Sequence, residues 1–381
     1  MTRRILIQTT SIARLAADLA QERLFHQRLV GPGARKPEEV VDGLLAVQAQ
    51  DFAAAKWGVA QRVADGDDAG VQEALDAGRI LRTHVLRPTW HFVTAADIRW
   101  LVELSAPRVR AQMAYMDKKV DLDEPTIRRA GARMVRALEI AESPLSREEL
   151  ASSLASAKIA AEGTRLAHLV MHAELDGLLC SGPLRGKTQT YDLVARRAPR
   201  ARVLRRDEAL AELALRYLRG HGPALAADLA WWSGLTLTDA KKALALAGPG
   251  QVEEEKLGEK VYYRARLGTA APRRQGSVHL LPNYDELVIG FTDHDVTLDD
   301  ELRTSGRADV VETMRAHIVV RNGRAIGGWR RELGKDSDVT IEAKVLVTVS
   351  DAERDALEKT AKRYARSLGL AKAHFRLEAP R

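Results

Sequence analysis

One pattern recurs three times before Val278 and constrains this chain more than any other feature: helical periodicity, a second cluster of shorter helices, then a short β-hairpin signal. In the first copy Ser11 is placed to cap a helix over 11–28, with Ile12, Leu15, Leu19 and Leu24 as its apolar stripe. Gly31-Pro32-Gly33 breaks it, and Pro37 opens an apolar helix running through Val40, Val41, Leu44, Leu45 and Val47. Short helices are expected over 53–63 and 69–77, followed by a strand over 80–86, a turn at Arg87-Pro88 and a partner strand over 89–93.

The second copy has a helix over 124–141, then Ser146 with Glu149 three residues on, which is a capping-box spacing. A helix over 164–178 leads into a hairpin of 178–181 with 188–193, turning through Gly182-Pro183 and Gly186. In the third copy a helix over 207–219 breaks at His221-Gly222-Pro223. Helices over 224–233 and 236–247 meet at Gly234, and 251–255 pairs with 261–266 across Gly258. A hairpin that follows a helical cluster is the order of a winged helix. The match between copies is architectural and not residue for residue.

Beyond Val278 the composition turns β-rich, with Val278-His279-Leu280-Leu281, Ile318-Val319-Val320 and 341–349 as strands. Asn322-Gly323 is a strong hairpin signal, and an amphipathic helix over 352–367 closes the chain. The expected fold is mainly α with small β elements. It has three tandem winged-helix modules, over 1–120, 121–203 and 204–277, and a C-terminal β-rich α+β domain over 278–381, built largely of antiparallel strands.

Apolar residues at 45 % and charged residues at 29 % fit a soluble globular protein. No stretch approaches the ~20 apolar residues that span a bilayer. The apolar run Ile5-Leu6-Ile7 stops at Gln8, too soon for a signal h-region, so the expected location is the cytoplasm. The single cysteine, Cys180, excludes an intramolecular disulfide and reads as a buried, inert thiol. A net charge of +7 favours a polyanionic partner. Arg196, Arg197, Arg200, Arg202, Arg205 and Arg206 crowd one short stretch, as a solvated linker or a phosphate-tracking surface.

Most catalytic chemistries find no footing here. His84 and His91 flank the first hairpin, and Asp293-His294-Asp295 looks ligand-like, but none has the spacing of a known zinc motif. Gly31-Pro32-Gly33 follows a helix rather than a strand, against a dinucleotide site. No elbow motif surrounds a serine. No metal or cofactor is expected.

Gln48-Ala49-Gln50 remains, where the Val40–Val47 helix runs out before Asp51-Phe52. Two neutral amides one residue apart suit a site that holds water or a polar ligand without fixing a charge. Residues i and i+2 of an α-helix point to different sides. Both amides therefore serve one site only where the helix breaks nearby; a helix continuous through Phe52 would separate them.

Three winged helices on a basic chain point to duplex DNA. Arg79, Arg82, Arg87 and His91 on or beside the first hairpin, and Arg185 and Lys187 on the second, are the candidate contacts. Here the chain resembles the AlkZ/YcaQ-like winged-helix DNA glycosylases of bacteria. The matching landmarks are Leu45-Ala46-Val47-Gln48-Ala49-Gln50 with Lys56-Trp57, then Leu86-Arg87-Pro88-Thr89-Trp90-His91-Phe92-Val93, then Gly186-Lys187-Thr188-Gln189-Thr190-Tyr191. Asp228-Leu229-Ala230-Trp231-Trp232-Ser233-Gly234-Leu235, Leu281-Pro282-Asn283-Tyr284-Asp285-Glu286, and Arg321-Asn322-Gly323-Arg324 with Gly328-Trp329-Arg330 complete the ordered set. The late hairpin adds Asn322, Arg324 and Arg330 to the candidate DNA contacts.

The resemblance implies a monofunctional glycosylase acting on bulky or crosslinking alkylated bases. It gives Gln48 and Gln50 the catalytic role, in a branch similar to glycosylases of self-resistance to DNA-alkylating natural products. Another branch carries Asp at the third motif position, and Asp51 does not stand in for it. Lys56, the nearest lysine, reads as a surface residue. The expected partner is double-stranded DNA carrying alkylated bases, bound by a monomer. The alternative is a non-catalytic winged-helix DNA-binding protein such as a transcriptional regulator, since fold alone does not decide function.

Overall fold

The computed structural model describes residues 15–267, 276–305, 317–334 and 337–380. Ser11 lies outside these, and the first helix is described over 15–26.

The element order repeats as the sequence pattern requires. Each copy has a helix, a two-residue strand, two further helices and a hairpin whose second strand pairs with the two-residue strand. The first copy runs Pro37–Leu44, β1 (Val47–Gln48), Phe52–Ala60, Asp68–Asp76, β2 (Ile80–His84) and β3 (Trp90–Thr94), with sheet order β1-β3-β2. The second runs Glu124–Ala141, β4 (Leu145–Ser146), Arg147–Ser156, Gly163–Leu175, β5 (Leu179–Ser181) and β6 (Thr190–Leu193), in order β4-β6-β5. The third runs Arg206–His221, β7 (Ala224–Leu225), Ala226–Ser233, Leu237–Ala247, β8 (Val252–Leu257) and β9 (Lys260–Ala265), in order β7-β9-β8.

Local chemistry explains the boundaries. Asp51, Asp67, Asp123, Ser146 and Thr236 each accept a backbone N–H with their side chain at a helix start. Ser146 and Glu149 form the expected capping box. Gly234 turns between two helices at φ 70°, and a β-carbon there would collide with the Leu86 carbonyl oxygen, so no side chain fits. A 22-residue helix, Ile98–Lys119, fills the stretch between the first two copies and carries Pro107 inside it. That proline conceals the helix in the sequence.

The last sheet has order β10-β11-β12-β13-β14, from Val278–Leu281, His317–Arg321, Arg324–Leu333, Asp338–Val345 and Lys372–Glu378. Its first three pairings are antiparallel, as expected, but β13 and β14 run parallel because helix Asp351–Ser367 carries the chain back across the sheet. Among the described residues no helix is long and apolar enough to cross a membrane.

Packing fixes the first copy against this sheet. Helix Phe52–Ala60 is buried from Ala54 to Ala60, on all sides, so it behaves as a core element. Trp57 donates through Nε1 to the Leu280 carbonyl at 2.7 Å. Arg62 forks onto both Asp285 oxygens at 2.8 and 2.7 Å, with both side chains 1 % exposed. A paired, bidentate ion pair is the form in which buried charge is tolerated. The Leu281–Glu286 segment is thereby clamped to the residues just after Gln48-Ala49-Gln50.

Candidate active site

The helix that precedes the glutamines ends earlier than the apolar stripe suggests. Helix Pro37–Leu44 stops because Leu45 takes φ 66°, and Val47 and Gln48 become strand β1. Val47 is therefore a strand residue, which corrects the helical reading of Val40–Val47. Val47 pairs with Phe92 and Gln48 with His91, and the Ala49 N–H continues the ladder to the Trp90 carbonyl at 2.7 Å. The helix therefore ends before Gln48, which is what a common site requires, and Gln50 lies in a bend just past the strand.

The two amides lie against consecutive residues of the first hairpin. Gln48 Nε2 donates to Thr89 Oγ1 at 3.3 Å, and Gln50 Oε1 accepts the Trp90 N–H at a long 3.4 Å. Gln48 is buried, and its Oε1 has no protein hydrogen-bond partner, whereas Gln50 is exposed. One amide oxygen is thus buried without a protein partner, next to an amide that faces solvent. Asp51 is spent elsewhere: Oδ1 accepts the Ala54 N–H at 3.0 Å as the cap of the next helix.

His91 lies under the pair, fully buried, with Nδ1 on the Thr89 carbonyl at 3.0 Å. A carbonyl only accepts, so Nδ1 carries the proton and the unpartnered Nε2 is an acceptor. Burial, then the Arg87 charge, pushes the His91 pKa down to about 3, so the ring stays neutral. Arg87 follows Leu86, whose φ is 65°. The Arg87 guanidinium lies 5.7 Å from the Trp231 ring, and its Nε and Nη2 have no protein partner. Trp231 is half exposed, so a cation and an aromatic face stand together beside the site.

Arg82 belongs to the site by a different route from the one expected. Its Nε donates to the Ala49 carbonyl at 3.0 Å, its Nη1 to Gln189 Oε1 at 2.8 Å, and it stacks 4.3 Å from the Trp90 ring centre. It braces the motif from below. Lys56 is not a surface residue: its side chain is 10 % exposed and holds Asp68 at 2.7 Å and Gln72 at 3.2 Å.

The remaining candidate contacts divide by accessibility. Lys187 is exposed, and Arg185 is exposed but paired with Glu149. Arg79 is held by Glu38 at 3.1 Å and by Glu73, and Arg330, at the exposed end of β12, by Glu342 at 2.6 Å. Asn322 and Arg324 are turned inward, against the expectation for the late hairpin. The Asn322 N–H and Oδ1 both bond Ser277, and Gly323 packs on the Ala20 carbonyl of the first helix. Arg324 is buried and forks onto Asp300 at 2.7 and 2.9 Å. The turn chemistry was legible, but the surface that covers the turn lies 300 residues away in sequence. Within the arginine-rich stretch Arg197 holds the Leu75 and Asp76 carbonyls, while Arg196, Arg202 and Arg206 pair with Asp192, with Asp97 and Glu212, and with Asp239 yet stay exposed, as do Arg200 and Arg205.

No group of three or more His, Cys, Asp or Glu among the described residues is arranged to hold a metal. His84 pairs with Glu174, and Asp293 takes Lys260 and Tyr262. Cys180 is fully buried, and burial raises its thiol pKa far above the usual value, as an inert thiol requires.

Sequence reasoning missed Glu286, which is 1 % exposed and accepts the Gln48 backbone N–H at 2.7 Å. It also accepts from Trp232 Nε1 at 2.7 Å and contacts His221 Nε2 at 3.2 Å. Its one signal was its place in the Leu281–Glu286 landmark.

Comparison with known proteins agrees with this geometry. A model of the AlkZ-like DNA glycosylases matches residues 41–367. The chain is 25 % identical to the interstrand DNA cross-link repair glycosylase of Streptomyces sahachiroi, over 93 % of this chain and 96 % of that one. The solved structure of the Streptomyces sahachiroi DNA glycosylase AlkZ superposes with a TM-score of 0.74 at 21 % identity, covering 95 % of this chain and 98 % of the other, a likeness of fold. With the family match spanning most of the sequence and the glutamine pair within it, the chain belongs to the AlkZ-like DNA glycosylases, enzymes that hydrolyse N-glycosyl bonds in DNA.

Proposed function

We propose that the chain removes alkylated purines from duplex DNA, with a cationic N7-alkylguanine as the base and bulky or crosslinking adducts as the preferred class. The cross-link repair named for the Streptomyces relative supports that class. The observation that carries the proposal is the unpartnered, buried Oε1 of Gln48 beside the solvent-facing Gln50 at the end of a strand.

Alkylation at N7 places a positive charge on the base, so the base leaves without strong acid catalysis. The C1′–N9 bond breaks, its electron pair goes to the base, and the base departs neutral. Water adds to C1′ and its proton passes to solvent, which leaves an abasic site. Gln48 Oε1 accepts one O–H of that water and Gln50 holds it from the solvent side, so the contribution is orientation. An amide is too weak a base to take the proton early. Lys56 is tied to Asp68 and Gln72, which supports hydrolysis without Schiff-base lyase chemistry.

The three repeats are proposed as winged-helix modules over 1–120, 121–203 and 204–277, with the C-terminal domain over 278–381. Lys187, Arg185 and Arg87 are proposed to hold the duplex, bound by a monomer in the cytoplasm at the nucleoid. The test is incubation with duplexes carrying small and bulky N7-alkylguanines, read as free base and abasic sites. No release from any of them would overturn the proposal. Release that is unchanged in Gln48→Ala and Gln50→Ala would overturn the site alone.

A further inference from the structure

The three repeats differ at one structurally equivalent position. Gln48, Ser146 and Leu225 are each the second residue of the two-residue strand, opposite His91, Thr190 and Tyr262 respectively. In the second and third repeats the next helix starts at once, at Arg147 and Ala226. The third residue of that helix supplies a carboxylate to the strand. Ser146 N–H donates to Glu149 Oε2 at 2.6 Å, and Leu225 N–H donates to Asp228 Oδ2 at 2.9 Å. This is the backbone half of a capping box.

The first repeat cannot close that box. Ala49, Gln50 and Asp51 intervene between the strand and helix Phe52–Ala60, and the third residue of that helix is Ala54. The extra residues are what bring Gln50 to the surface beside Gln48. They also strip the Gln48 N–H of its local acceptor. A carboxylate 238 residues away takes the vacant role: Glu286 Oε1 accepts the Gln48 N–H at 2.7 Å. Its other oxygen is held by Trp232 and His221, both from the third repeat.

We infer that Glu286 is a positioning residue for Gln48, replacing the local cap lost when the catalytic insertion entered the first repeat. The inference rests on the glycosylase reading of the glutamine pair. A charge-assisted hydrogen bond fixes the strand end from the backbone side and leaves the Gln48 side chain to Thr89 and to water. The anion survives burial because His221, the Gln48 N–H and other neighbours hold its pKa below the usual carboxylate value, against the desolvation that alone would raise it. Glu286 touches no reacting atom; it sets the direction of the residue that does.

The experiment uses the full chain and a duplex that the wild type cleaves. Glu286→Gln leaves one oxygen for three donors, the Gln48 N–H, Trp232 Nε1–H and His221 Nε2–H. Its amide NH2 must therefore face one of them. Trp232→Phe removes one competing donor, and His221, with its proton on the otherwise unpartnered Nδ1, presents Nε2 as an acceptor to the new amide NH2. Glu286→Gln is expected to slow single-turnover base release by ~10-fold or more, as loss of a charged hydrogen bond does, with DNA Kd unchanged. The double variant is expected to recover most of the loss, measured against Trp232→Phe alone as its reference. Hydrogen exchange at the Gln48 amide is expected to quicken in Glu286→Gln and slow again in the double variant.

A merely structural Glu286 would lower Tm and leave the rate of the folded enzyme alone; that result overturns the inference. So does a loss of rate that Trp232→Phe fails to restore. Should Glu286→Gln not fold, Glu286→Asp takes its place, keeping the charge and withdrawing the oxygens by one methylene. A wild-type rate with unchanged Gln48 amide exchange then overturns the inference. If the wild type releases no base, the glycosylase reading fails. The amide exchange still decides whether Glu286 holds Gln48.

Discussion

Arg82 donates through Nε to the carbonyl of Ala49, the residue between the two glutamines, at 3.0 Å. A side chain on the first hairpin thus holds the backbone of the proposed catalytic segment. The same guanidinium reaches Gln189 on the second repeat at 2.8 Å, so the motif is braced from two modules. Arg82→Ala should lower single-turnover base release ~10-fold or more, the effect of one charge-assisted hydrogen bond, and leave the salt dependence of DNA binding unchanged. A flatter slope of log Kd against log salt would show instead that Arg82 neutralises a phosphate.

Asp51 sits next to Gln50 and carries the one carboxylate in the segment, so it is the rival candidate for a base. Its Oδ1 caps helix Phe52–Ala60. Asp51→Asn keeps a capping acceptor and should keep both stability and rate. Asp51→Ala should cost about 1 kcal/mol of stability with a small change in rate. A collapse of activity in Asp51→Asn, measured at saturating DNA, would return the carboxylate to the mechanism.

Among the charged side chains, exposure separates the proposed DNA contacts from residues that hold the protein together. Lys187 is exposed, whereas Arg324 is buried on Asp300. Lys187→Ala should reduce the magnitude of the salt slope of DNA binding by about one unit and leave Tm in place. Arg324→Ala should leave the slope in place and destabilise the fold by about 1–3 kcal/mol, because it removes a charged hydrogen-bond partner from a packed site. Urea unfolding and binding titrations on the two variants check both halves.

His91 ties stability to pH. Its folded pKa is near 3, against 6.5 for the free group, because it is buried beside Arg87. As pH falls the unfolded chain takes up the proton first. The stabilisation is therefore complete above pH 6.5 and declines toward pH 3, at ~1.4 kcal/mol per unit. Between pH 6.5 and 5 this single group should cost about 2 kcal/mol. His91→Gln should flatten the acid side of the stability curve by that amount; superposable curves for variant and wild type would refute the assignment. Base release should show no inflection near pH 6.5 from this ring, which is neutral throughout.

What the sequence alone determined is what a few neighbouring residues decide. Ser146 and Glu149 close their capping box within one turn, and helix Glu124–Ala141 has the expected span, with Asp123 as the cap the structure adds. Asn322-Gly323 turns the chain between β11 and β12 for reasons internal to the dipeptide. The identity of Gln48 and Gln50 as the residues of interest also came from local character, two amides at a helix end. Tertiary structure decided the rest. Val47 joined Gln48 in a strand because β3 offered its edge, against the helical stripe that Val47 closes. Arg82, Arg324 and Asn322 turned to protein partners because the surfaces they meet come from distant segments. The Gln48-Ala49-Gln50 segment was visible as an odd polar step. Its carboxylate, Glu286, was not, because a contact across 238 residues depends on which faces are buried together and leaves no trace in local periodicity.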